Sequence, residues 1–153
     1  MDSSRRALLA AVLALPLRAA DSDVAVVVRT DTPAESLTLA EIRKLLLGDR
    51  QFWTSNLRVT LLMRAPAAHE REVVLRAIYQ MSEAQFRQYW ISKVFRAEAS
   101  SGPKIVYSNE MATELVLAIP GSVAFVDAAM VPRGLKVLRI DGKSPGEKGY
   151  SLR

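Results

Sequence analysis

The stretch Ser108-Asn-Glu-Met-Ala-Thr-Glu-Leu-Val-Leu-Ala-Ile-Pro-Gly-Ser-Val-Ala-Phe-Val-Asp127 decides the fold class. Ser108 or Asn109 can accept hydrogen bonds from first-turn amides and so open a helix, which the pattern carries to about Ile119. Pro120-Gly121 is a turn, and the apolar run Val123 to Val126 is a buried strand. A helix fed directly into a buried strand is the repeating unit of an α/β domain.

The same alternation extends outward on both sides. Lys104 to Tyr107 is extended, and Ser100-Ser-Gly-Pro103 breaks the chain before it. Ser82-Glu-Ala-Gln85 is a capping box that opens a helix through Phe86, Tyr89, Trp90 and Val94. A helix is predicted from about Ala67 to Met81, with Val73, Val74, Ala77, Ile78 and Met81 inward, and a strand over Arg58 to Met63. Thr38-Leu-Ala-Glu41 is a second capping box, followed by the stripe Leu39, Ile42, Leu45 and Leu46 and a stop at Gly48. Val24 to Arg29 is a β-branched strand at one end of the chain, and Leu135 to Ile140 is a strand near the other. Asp141 to Gly146 has loop composition. The expected fold is an α/β domain with a mostly parallel sheet flanked by helices in a three-layer-like arrangement.

Composition bounds what such a domain can do. The chain has 153 residues, half of them apolar and 24% charged, enough for one hydrophobic core. It has no cysteine and one histidine, which exclude a disulfide framework, a thiolate metal site, a cysteine nucleophile and a multi-histidine metal centre. No cofactor is expected. The 21 basic and 16 acidic side chains give a net charge of +5. They are interspersed, as in Glu70-Arg71-Glu72 and Glu41 beside Arg43-Lys44, rather than gathered into the basic stripe of a nucleic-acid binder.

Residues 1–19 read as an address. Arg5-Arg6 precede an apolar stretch from Ala7 to Leu17, and small residues follow at Ala19-Ala20, the pattern of a secretory signal peptide. The stretch is too short to span a bilayer, which needs about 20 residues. Ser4-Arg5-Arg6-Ala7-Leu8-Leu9 also fits a twin-arginine export motif. Export to the periplasm or outside the cell is expected, with residues 20–153 forming a single α/β domain and no membrane span after cleavage.

Candidate chemistry is sparse. His69-Glu-Arg-Glu-Val73 lacks the second histidine of a His-Glu-x-x-His zinc site, and no Gly-x-Ser-x-Gly elbow occurs. Trp53, Tyr89, Trp90 and Phe95 can form a stacking platform, but at these spacings they read as core. Glu110 and Glu114, one helical turn apart, read as a solvated face. With no triad, metal set or carboxylate dyad legible, an enzyme is not expected.

Four phrases in register carry a resemblance. They are Ser36-Leu-Thr-Leu-Ala-Glu-Ile-Arg-Lys-Leu-Leu-Leu-Gly48 with Trp53 after it, Met81-Ser-Glu-Ala-Gln-Phe-Arg-Gln-Tyr-Trp90, Pro120-Gly-Ser-Val-Ala-Phe-Val-Asp127, and Leu135-Lys-Val-Leu-Arg-Ile-Asp-Gly142. Together they resemble the phosphate-binding-protein branch of the periplasmic type II solute-binding proteins of ABC transporters, over about residues 24–152. The resemblance implies a single lobe of a fold that, at full size, has two α/β lobes closing on an oxyanion such as phosphate. It also implies a half-site: an arginine at a strand end, then Ser-Gly-Thr at a helix start. Arg64 stands at the arginine position, while Ala68, His69 and Glu70 stand where Ser-Gly-Thr would be. Two hydroxyl donors are replaced, and Glu70 brings a negative charge toward the anion's place. Arg64, Ala68, His69 and Arg71 are thus the candidate ligand-binding residues of a degenerate oxyanion half-site. The alternative is an interaction module on the same scaffold, one that has lost its ligand and binds an exported or membrane protein.

Overall fold

The computed structural model describes residues 22–153, so the expected signal peptide and the exact start of the domain lie outside the described residues. Five strands form the central sheet: β1 (Val24–Arg29), β5 (Thr60–Arg64), β6 (Lys104–Val106), β7 (Ser122–Asp127) and β8 (Leu135–Val137). Their order across the sheet is β6-β5-β7-β1-β8. β5 pairs in parallel with both β6 and β7, whereas β1 runs antiparallel to β7 and β8. Four of the five strands therefore point one way, and the sheet is mostly parallel as expected. Two-stranded pairs lie outside it: β2 (Ser36–Leu37) with β9 (Arg139–Ile140), and β3 (Phe52–Thr54) with β4 (Leu57–Arg58).

Strand periodicity sorts the core onto two faces. Val24, Val26, Val28, Val123 and Phe125 pack on one side against α1 (Leu39–Leu46), α2 (His69–Val74) and α3 (Glu83–Phe95). Ala25, Val27, Ala124 and Val126 pack on the other side with Ala112 and Val116 of α4 (Asn109–Ala118). Helices cover both faces, which gives the expected three layers.

Both capping boxes form: Thr38 Oγ1 accepts from the Glu41 amide at 3.1 Å and Ser82 Oγ from the Gln85 amide at 3.2 Å. Gly48, at φ 74°, ends α1 with the paired bonds of a Schellman motif, from Gly48 N to Leu45 O and from Asp49 N to Lys44 O. Tyr79 Oη donates to Leu46 O at 2.6 Å, and Tyr89 Oη donates to Leu47 O, so the last carbonyls of α1 are satisfied.

Four local expectations change. The helix predicted from about Ala67 begins at His69, because Ala67 has φ 72° and is not helical. It continues as a π turn over Leu75–Tyr79 and ends at left-handed Gln80. The predicted strand Arg58 to Met63 breaks at Val59, where the chain leaves the β3–β4 hairpin for the main sheet. The predicted strand Leu135 to Ile140 breaks at Leu138, between the main sheet and the β2 pairing. Phe95 is 90% exposed rather than core, because the buried stripe of α3 runs Phe86, Trp90 and Lys93 and leaves Phe95 on the opposite face. Trp53 and Trp90 are buried as expected.

Candidate functional site

β5 ends at Arg64, and the loop Ala65 to Ala68 turns the chain directly into α2. The turn depends on Ala67 in the left-handed region, a conformation that costs an L-residue about 1–2 kcal/mol. Replacing Ala67 with glycine is expected to raise stability by about 0.5 kcal/mol, net of glycine's larger unfolded-state entropy, read as a shifted denaturation midpoint.

Arg64 Nη1 donates to Asn109 Oδ1 at 2.9 Å and lies 3.1 Å from Glu70 Oε2. The arginine and glutamate side chains are 13% and 9% exposed, so the pair sits largely out of water. Asn109 is the first residue of α4, and its Oδ1 also accepts from the Asp127 amide at the end of β7, at 3.2 Å. Strand ends β5 and β7 and the starts of α2 and α4 thus meet on Arg64. The Nε–H of Arg64 is buried with no acceptor among the described residues. A buried guanidinium donor left unpaired costs free energy, and an oxyanion oxygen is the partner its geometry suits.

The other candidates divide. Ala68 is the N-cap of α2 and offers no side-chain cap hydrogen bond, so the hydroxyl chemistry is absent at this position. His69, half-buried, begins α2, and Glu70 follows in its first turn. Arg71 is turned away from Arg64's guanidinium. Its Nε and Nη2 form a bidentate pair with Glu83 at 2.7 and 2.8 Å, its Nη1 donates to Arg64 O at 3.0 Å, and its guanidinium lies 5.0 Å over the Phe86 ring. Arg71 therefore positions the Arg64 backbone. Glu110 and Glu114 are exposed on α4, and among the described residues no cluster of acidic and histidine side chains could hold a metal.

Arg71 holds the Glu83 carboxyl below the usual carboxylate range through its hydrogen bonds, against the opposing effect of burial. Because the folded pKa is the lower one, this stabilisation is present above the unfolded value of 4.5 and is lost as pH falls through the folded value. Glu83→Gln is expected to flatten the acid limb of the stability–pH curve below about 4.5.

Asn109 had no signal in the sequence beyond helix capping; its contact with Arg64 joins residues 45 positions apart.

No sequence-family profile matches the chain, and no curated protein sequence does. Similarity emerges in three dimensions. An ABC-type phosphate transport receptor from Vibrio cholerae aligns with a TM-score of 0.65 at 16% identity, over 81% of this chain and 48% of that one. PstS from Borrelia burgdorferi aligns with a TM-score of 0.68 at 15% identity, over 86% of this chain and 54% of that one. A protein from Clostridium perfringens assigned as a phosphate ABC transporter substrate-binding protein, solved with bound phosphate, aligns with a TM-score of 0.65 at 13% identity, over 80% and 46%. The chain spans about half the length of these proteins and shares their fold over most of its own.

Proposed function

We propose that this protein is an exported, non-catalytic member of the solute-binding type whose oxyanion half-site is degenerate and binds phosphate-like anions weakly at Arg64. The observation that carries this reading is the largely buried Arg64 guanidinium at the end of β5, whose Nε–H has no acceptor among the described residues. Ala68 and His69 flank the anion's place, and Arg71 fixes the backbone beneath it. The weakness follows from Glu70, whose carboxylate already neutralises Arg64, and from the missing hydroxyl at Ala68. The similarity to phosphate-binding proteins supports the ligand class.

Thermal unfolding with and without phosphate or sulfate tests the reading. The midpoint is expected to rise only at millimolar anion, with about 1.4 kcal/mol of stabilisation at ten times the dissociation constant. Arg64→Ala is compared as the difference between its own anion-free and anion-loaded midpoints, so its intrinsic destabilisation cancels. An anion response that survives Arg64→Ala would overturn the site.

A second reading is favoured by one feature of the same face. Tyr107, 72% exposed, and Met130 lie beside Asn109, whose Nδ2 contacts Met130 Sδ at 3.6 Å. Large exposed apolar groups around an already neutralised arginine suit a protein partner rather than an ion. A flat response to every anion would favour this interaction module, with an exported or membrane protein as its partner.

A further inference from the structure

A second cationic site lies at the other end of the sheet. β5 begins at Thr60, which lines a cleft of about 220 Å³, and runs four residues to Arg64, so cleft and half-site are about 13 Å apart at ~3.3 Å per residue. Arg50, Arg58 and Lys104 line this cleft, and no carboxylate of the described residues does. Among the described residues none of the three has an ion-pair partner. Arg50 donates to the carbonyls of Phe52 and Trp53, and its guanidinium lies 5.7 Å over the Trp53 ring. Arg58 lies 5.1 Å over the Phe52 ring. The acidic residues next in sequence to the lining are already engaged: Asp49 by Lys93 at 2.7 Å and Glu98 by Arg96 at 3.0 Å. Three cationic side chains thus line the cleft without an ion-pair partner among the described residues.

The lining also includes apolar side chains, Leu61 and Trp90, and the hydroxyl of Ser101. The volume is below the roughly 300–1,000 Å³ of pockets for drug-sized ligands, which limits the occupant to a small molecule. We propose that this cleft binds a small organic anion, with its acidic group held by Arg50, Arg58 and Lys104 and a short apolar body against Leu61 and Trp90. Field focusing by three cations around a low-dielectric wall concentrates such a ligand, and binding falls with salt.

The experiment titrates the protein with phenyl phosphate and with benzoate, following intrinsic tryptophan fluorescence and the thermal midpoint. Inorganic phosphate and uncharged benzyl alcohol serve as the two half-ligands. Saturable binding of phenyl phosphate or benzoate, at least tenfold tighter than benzyl alcohol and weakened at least tenfold by Arg58→Gln with Lys104→Gln, is the expected result. Lys104→Glu alone, on an exposed residue of the edge strand, provides a second variant with little risk to folding. Binding that survives all three charge changes overturns the site, as does binding of benzyl alcohol equal to benzoate. Inorganic phosphate binding as tightly as phenyl phosphate overturns the organic class. Because Arg64→Ala leaves this cleft intact, loss of phenyl phosphate binding in that variant would assign the ligand to the half-site and overturn the proposal, whereas loss of only the phosphate response leaves it standing.

Discussion

Gly121→Ala is expected to lower stability by about 3 kcal/mol or more. Gly121 has φ 79°, in the region an L-side chain rarely adopts. A Cβ there would lie 2.1 Å from the Arg58 carbonyl oxygen and 3.1 Å from Leu57 Cδ1, and the first of these is backbone that cannot rotate aside. The same residue's carbonyl accepts from Trp53 Nε1 at 2.8 Å and from the Thr60 amide at 3.2 Å. Moving Gly121 to relieve the clash would therefore strain the start of β5 and release the buried indole N–H. Equilibrium denaturation with urea reads the loss as a shifted midpoint at unchanged slope. An alanine variant as stable as the parent would show that the turn into β7 relaxes freely.

Glu70→Ala is expected to cost about 3 kcal/mol, because it strands the Arg64 guanidinium in a place largely closed to water. Unlike the glycine variant, this loss should be partly reversible by small anions. Phosphate or acetate at tens of millimolar can occupy the space the carboxylate leaves and re-pair Arg64, so the variant should show a larger anion-dependent rise in midpoint than the parent. Glu70→Gln keeps an acceptor for the guanidinium without its charge, and should fall between the two in stability. A variant that loses stability but ignores anions would mean that Asn109 alone shapes the site.

Local features were legible in the sequence where a few adjacent residues determine the outcome. The capping boxes at Thr38 and Ser82, the glycine stop at Gly48 and the buried run Val24 to Val28 of β1 follow from backbone hydrogen-bonding and strand burial within one or two turns. Long-range pairings had no such signal. Lys93 occupies a buried position on α3 that a hydrophobic pattern assigns to an apolar residue. Burial opposes its charge, but hydrogen bonds to Asp49 and to Tyr89 outweigh that and raise its pKa. The Arg71–Glu83 pair spans the π turn, which itself has no sequence mark beyond an ordinary helical stripe. At the half-site the sequence brought Arg64 and Glu70 close in number, and the expectation was that Glu70 would repel an incoming anion. The geometry adds that Glu70 answers Arg64 directly, while Asn109, contributed by α4, was visible only as a helix-start residue.

The position of β1 has a consequence for how the chain reaches this structure. The first strand of the described residues lies inside the sheet, with Val26 opposite Phe125 and Val27 opposite Val137. At translation rates of about 5–20 residues per second, Val24 to Val28 must wait several seconds for partners some hundred positions downstream. Sheets built on such distant pairings fold slowly, in milliseconds to seconds once the chain is complete. During that interval the run Val-Ala-Val-Val-Val has no charge and no proline to keep it from pairing with other chains. Until β7 and β8 emerge, this apolar strand has no partner within the sheet and is open to association with other chains.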